Sequence, residues 1–268
     1  MPELPEVETT RRGISPHLIG HRIERLIVRE PRLRWRIPAS LPRKLAGQTV
    51  RNVQRRAKYL ILDLDDGHLL CHLGMSGSLR IVDPASPPRK HDHIDLVLDS
   101  GKALRLHDPR RFGAMIWTAD PNTHALIKNL GPEPWEATAE YLHQRAKGRR
   151  QSVKNYITDS RTLAGVGNIY AAEALFDAGI HPKRPAGRLS LERYQALLKA
   201  VVKVLERSIK MGGTTLRDFV SAEGEPGYFR QVLCVYEREG EPCRRCHTPI
   251  RRIVLTSRSI YYCPHCQH

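Results

Sequence analysis

No stretch of this chain stays apolar for the roughly 18 residues a membrane helix requires, and its start lacks the apolar run of a secretory signal. Neither a membrane span nor an exported precursor is expected, so the protein reads as cytoplasmic. Internal repeats and low-complexity tracts are also missing, which leaves ordinary compact domains. Cysteine is sparse, six in 268 residues, and in a reduced compartment disulfides between them are disfavoured. The most informative shortage is acidic: 28 Asp and Glu stand against 44 Lys and Arg, a formal +16 with a pI near 9.9.

What is present otherwise fits a globular protein, with 40% hydrophobic and 27% charged residues. The length suits two domains and an appendage. The cationic excess recurs in patches: RNVQRRAKYL (51–60), KHDHIDL (90–96), DPRRFG (108–113), RAKGRRQSVK (145–154) and RRIVLTSR (251–258). Solubility needs a net charge of only about 2–8 on a small domain. The surplus therefore points to a polyanionic partner, in this compartment nucleic acid.

Residues 4–19 read as a helix, with Val7, Ile14 and Leu18 on one face and Pro16 and Gly20 shaping its end. From about 21 to 118 the pattern becomes eight short β-like runs: IERLIVRE, TVRNVQ, YLILDLDD, HLLCHLG, SLRIVD, HIDLVLD, ALRLHD and AMIWTA. Turns with DDG, DSG and proline separate them. The expectation is an antiparallel β-sandwich behind a leading helix. NLGPEPWEAT (129–138) reads as a linker, and AEYLHQRAK, SVKNYITDSRTL, IYAAEALFDAG and LSLERYQALLKAVVKVLERSIK as helices. Residues 211–229, rich in glycine and turn formers, read as a long functional loop.

CRRC (243–246) and CPHC (263–266) are two Cys-x-x-Cys pairs separated by sixteen residues, a four-thiolate zinc spacing. Four thiolates leave no open position for substrate, so one structural zinc ion is expected on Cys243, Cys246, Cys263 and Cys266, with a β-hairpin between the pairs. Cys71 and Cys234 lack such partners and read as small core residues. The chain opens MPELPEVET, where loss of Met1 would make Pro2 a free secondary amine beside Glu3. On its own this is either an ordinary helix lead-in or a catalytic N-terminus.

MPELPEVET, QRRAKYL, HLGMSGSL, KHDH, DPRRFG, AGVGNIYAAEALF (164–176) and the four-cysteine hairpin, in this order, resemble the bacterial formamidopyrimidine-DNA glycosylases. The resemblance implies an α+β protein of three domains: a catalytic β-sandwich at 1–131, a helix–two-turn–helix domain at 132–236 and a zinc hairpin at 237–268. It implies base-excision repair of 8-oxoguanine and formamidopyrimidines in duplex DNA, with strand cleavage at abasic sites by β,δ-elimination. It further implies a monomer with no nucleotide cofactor.

Carried onto this sequence, the family's nucleophile falls on Pro2 and its general acid/base on Glu3, with Glu6 one turn on. Lys58 falls on the lysine of β-elimination. Arg258 falls on the hairpin arginine tied to δ-elimination and to a phosphate. Met75, Arg110 and Phe112 match the trio that fills the gap left by an extruded nucleotide. His91, Arg110, Arg150, Lys154 and Asn168 match DNA-contacting positions, Lys154 as a phosphate-binding lysine. If about five phosphates are neutralised, the log–log salt slope should be near −4.5. Thr214, Thr215 and Tyr228 match loop contacts to an everted base. The sequence departs from the family at Glu237 and His247, where glycine is common, and at Ile260, where threonine is. Two rival readings are an endonuclease VIII-type enzyme for oxidised pyrimidines and a non-catalytic damaged-DNA clamp; the opening PELPE and the long loop favour the purine enzyme.

Overall fold

In a computed structural model, which describes residues 2–213 and 229–268, the chain forms two compact units. One comprises Met1–Lys128 with Ile209–Arg230, the other Asn129–Ser208 with Gln231–His268.

The first unit opens with α1 (Leu4–Leu18), whose N-cap is Glu3. A helix start leaves backbone N–H groups without helical partners, and here the Glu6 carboxylate returns to accept the Glu3 N–H at 2.8 Å. The eight expected strands all form. β1 (Ile23–Val28), β6 (Asp92–Leu98), β7 (Ala103–His107) and β5 (Ser78–Val82) make one four-stranded sheet in that order. β2 (Val50–Arg56), β3 (Tyr59–Leu64), β4 (His68–His72) and β8 (Ala114–Thr118) make the other, and the neighbouring strands in both are antiparallel. Alternating Leu, Val and Ile from the two sheets meet Val7, Ile14 and Leu18 of α1 in one core. Burying such side chains contributes roughly 1.5–3 kcal/mol each.

β6 departs from the alternating pattern, since all seven of its residues are buried. Asp95, 0% exposed, faces the interior and is held by Arg105 in two bonds of 2.8 Å and by Arg29 at 2.6 Å. A buried carboxylate survives only with such partners. A short helix the sequence patterns do not announce, α2 (Leu41–Leu45), packs on β1.

The second unit carries α3 (Ala139–Ala146), α4 (Val153–Thr158), α5 (Asn168–Asp177) and α6 (Leu191–Lys210). Ser152 and Thr138 cap α4 and α3 through their hydroxyls. Expected to run to Leu163, α4 stops at Thr158. Beyond it the Asp159 carbonyl collects the N–H groups of Thr162 and Leu163, and its carboxylate that of Arg161. Asp in such a position competes with the helix for the backbone. The hairpin β9 (Arg251–Leu255) and β10 (Arg258–Tyr262) turns through Thr256 and Ser257, both with φ > 0 as tight hairpins demand. At its base Cys243, Ile250 and Cys263 pack with Val235 on Ala172 and Phe176 of α5.

Candidate active site and nucleic-acid interface

Pro2 and Glu3 are both buried at the head of α1, Glu3 at 2% exposed and Glu6 at 2%. The capping bond that closes the helix start thus fixes the backbone of the residue directly behind Pro2. Gly213, at φ +83, approaches this point closely: a Cβ there would lie 3.3 Å from Glu6 Oε1. Phe229 N–H donates to the Gly213 carbonyl at 3.1 Å. The expected loop contacts Thr214, Thr215 and Tyr228 lie outside the described residues.

Lys58, half-buried, stands in the two-residue turn between β2 and β3, where Arg56 pairs with Tyr59. Its turn partner Ala57 holds φ +53 although it carries a Cβ. Such a backbone costs about 1–2 kcal/mol. Lys58 and Arg34, together with burial, push His72 down to about 4, burial being the largest cause. His72 is therefore neutral at neutral pH, and its Nδ1 accepts the Gly74 N–H at 3.0 Å.

Gly74 belongs to the loop carrying Met75, and here glycine is required. At φ +65, a Cβ would meet the Phe112 carbonyl carbon at 2.5 Å and the Gly113 nitrogen at 2.6 Å. The HLGMSG and DPRRFG loops therefore touch backbone to backbone. Asp108, 0% exposed, closes the second loop: its Oδ2 accepts the Gly113 N–H at 2.7 Å. Its carbonyl accepts from His93 Nε2 at 2.9 Å, and its N–H donates to the His91 carbonyl at 3.0 Å. Met75 (39% exposed), Phe112 (41%) and the exposed Arg110 are brought out on one bound pair of loops, with the Arg110 guanidinium 4.9 Å from the Phe112 ring centre. Large apolar side chains held outward on a rigid base suit insertion between bases. His91 sits alongside, half-buried at φ +75, about 6 Å from the rings of His93 and His107.

In the second unit Arg150 and Arg258 are exposed and Asn168 is half-buried at the start of α5. Asn168 Nδ2 donates to the Ser259 carbonyl at 3.0 Å, and Asn155 Nδ2 to Thr256 Oγ1 at 3.0 Å. Two asparagines from the helical segment thus flank Arg258 on the hairpin. Lys154, the expected phosphate-binding lysine, lies on α4. It is 2% exposed, because α4 turns it inward with Val153, Tyr156 and Ile157. Glu173, missed in the sequence as one acid within a helical pattern, accepts the N–H groups of Cys234, Val235 and Tyr236 at 2.7–2.9 Å and moors the hairpin's entry to α5. Burial pushes its carboxyl upward against the pull of those three donors.

The four cysteine Sγ atoms lie within 4.8 Å of one another, with separations of 3.4 Å for Cys246–Cys263 and Cys246–Cys266 and 3.9 Å for Cys243–Cys266. A tetrahedral ion with Zn–S of about 2.3 Å needs sulfur pairs about 3.8 Å apart. Arg245 and Cys266 N–H groups point at Cys243 and Cys263 sulfurs, both at 3.4 Å, as charged thiolates favour. The donor set fits one structural zinc ion. No other such group converges among the described residues.

Residues 1–115 match the formamidopyrimidine-DNA glycosylase N-terminal domain, 130–220 the formamidopyrimidine-DNA glycosylase H2TH domain, and 240–268 the zinc finger found in FPG and IleRS. Fold, zinc site and domain matches together define a DNA glycosylase of base-excision repair. The formamidopyrimidine-DNA glycosylase of Methylococcus capsulatus is 59% identical over the full length of both chains. A Lactococcus lactis FPG variant solved with Fapy-dG-containing DNA superposes with a TM-score of 0.92 at 33% identity, 100% of each chain being covered. The Lactococcus lactis Fpg bound to abasic-site DNA gives the same values. The chain belongs to the formamidopyrimidine-DNA glycosylase family, whose members are bifunctional DNA glycosylases and abasic-site lyases.

Proposed function

We propose that the protein excises 8-oxoguanine and formamidopyrimidines from duplex DNA and cuts the strand through an amine on Pro2. The observation that carries this reading is Pro2 set directly before the buried, backbone-locked Glu3. Once Met1 is removed, Pro2 is a secondary amine. A generic α-amine titrates near 7.7–8.0, so an unprotonated fraction is present at neutral pH.

The amine attacks C1′ of the damaged nucleotide while Glu3 protonates the sugar ring oxygen; the glycosidic bond breaks and the base leaves with a proton. Loss of the amine proton frees a nitrogen lone pair that breaks C1′–O4′, the protonated ring oxygen leaving as the 4′-hydroxyl, and the resulting iminium acidifies C2′. Removal of a C2′ proton then expels the 3′-phosphate, with Lys58 handling protons at this β-elimination. A second elimination expels the 5′-phosphate, with Arg258 bound to phosphate. Hydrolysis of the remaining iminium returns Pro2.

Met75, Arg110 and Phe112 fill the vacated stack, the guanidinium bonding the orphaned base. His91, Arg150, Lys154 and Asn168 hold the backbone. The zinc ion, when bound, supplies cross-linking of the hairpin and no chemistry. In functional terms 1–131, 132–236 and 237–268 act as three domains, and the protein works as a cytoplasmic monomer on chromosomal DNA.

Excision from duplexes carrying 8-oxoguanine opposite cytosine, compared with an oxidised pyrimidine, tests the substrate class. Faster release of the purine with β,δ-cleaved ends is expected, and activity confined to the pyrimidine would refute it.

A further inference from the structure

Outside the residues already assigned, a charge cluster in the first unit surrounds Glu8, in the second turn of α1. Its Oε1 accepts from Arg11 Nη2 at 2.9 Å and Arg12 Nε at 2.8 Å, and its Oε2 from Arg11 Nε at 3.0 Å and Arg55 Nε at 3.1 Å. Arg11 and Arg12 belong to the same helix, but Arg55 comes from β2, 47 residues away. The Glu8 and Arg55 side chains are 10% and 11% exposed, so this link lies inside the unit, unlike an ordinary surface pair.

Arg55 also reaches forward, its Nη1 donating to the Ala57 carbonyl at 3.1 Å. That carbonyl belongs to the peptide joining Ala57 to Lys58, and Ala57 is the residue held at φ +53. One guanidinium therefore grips the helix that begins at Glu3 and the strained turn that presents Lys58. Glu8 lies five residues beyond Glu3, about 7.5 Å along the helix axis at about 1.5 Å per residue. A planar guanidinium, with its donors held in a fixed fork, is pre-organised for such a two-way bond. Burial works against the Glu8 charge, but the arginines outweigh it and hold the carboxyl down at about 2, so the cluster stays ionised across the working range.

We propose that Arg55, anchored by Glu8, is a positioning residue that fixes the Lys58 turn against α1 for the β-elimination step. This inference rests on the reading of Lys58 given above. Displacing a reacting group by about 1 Å costs up to about 100-fold in rate. Arg55→Met should therefore slow β-elimination roughly 10- to 100-fold. Stability should suffer less, because Glu8 keeps two arginines and Val7, Ile14 and Leu18 remain in the core.

The test is single-turnover cleavage of a preformed abasic-site duplex by full-length Arg55→Met, Lys58→Ala, their double variant and Arg12→Met, with borohydride trapping alongside. Arg12 shares Glu8 but does not reach the turn, so Arg12→Met should cleave normally. Arg55→Met should still form the trapped adduct while cleaving slowly, and the double variant should be no slower than Lys58→Ala alone. A Lys58→Ala defect that multiplies with that of Arg55→Met would overturn the positioning role while leaving Lys58 in place. A fully active Lys58→Ala would remove the Lys58 reading and the inference with it. If Arg55→Met does not fold, Glu8→Gln carries the same comparison.

Discussion

Gly74→Ala isolates the contact that holds the two gap-filling loops together. The substitution has two costs. The left-handed backbone at φ +65 disfavours any L side chain by about 1–2 kcal/mol. The new methyl would also sit 2.5–2.7 Å from Phe112 and Gly113 backbone atoms, which cannot swing away as a side-chain tip does. Overpacking of that kind adds about 1–3 kcal/mol, giving a total of roughly 2–5 kcal/mol.

Gly101→Ala is the matched control: its φ is +76, but nothing lies within 4 Å of the added Cβ. It should cost only the backbone part, about 1–2 kcal/mol. Urea unfolding followed by tryptophan fluorescence reads both, since Trp35 and Trp117 belong to the same unit. Excision should fall in Gly74→Ala and not in Gly101→Ala, because only the first moves Met75 against Phe112. Equal destabilisation of the two variants would refute the close approach, and unimpaired excision by Gly74→Ala would refute its functional role.

Three further outcomes are expected. His72 titrates at about 4 in the folded state against about 6.5 when unfolded, so its contribution to stability is complete above about 6.5 and is lost as pH falls towards 4. His72→Asn should flatten that part of the stability–pH curve, measured by urea titration at several pH values. Chelating zinc should expose the backbone amides of β9 and β10 to hydrogen exchange and abolish DNA binding, while β1–β8 keep their protection; protected hairpin amides after metal removal would contradict a structural ion. Asn155→Ala removes one of the two bonds flanking Arg258. It should raise the ratio of β- to β,δ-cleaved ends about 2- to 10-fold on a sequencing gel, the worth of one hydrogen bond.

The strands were legible because alternation marks a half-buried surface, and the zinc site because thiolate spacing admits few other uses. α2 escaped since LPRKL is shorter than any helical period can reveal and contains Pro42. Asp95 reads as a solvent-facing residue until Arg29 and Arg105 are seen beside it, and those partners are distant in sequence. The inward turn of Lys154 is likewise a tertiary fact, set by what α4 packs against. Glu237 and His247 stood out as replacing glycine, and the structure gives the physical reason: both hold positive φ, +57 and +62. Glu8 and Arg55 carry no sequence signal, because a helix acid and a strand arginine are usually solvated.

The most direct test of the account is borohydride reduction of the protein on a duplex carrying 8-oxoguanine opposite cytosine, followed by mass mapping of the trapped product. A single adduct on Pro2, with Met1 absent, is expected. An adduct on a lysine, or DNA binding without any adduct in protein already lacking Met1, would contradict it.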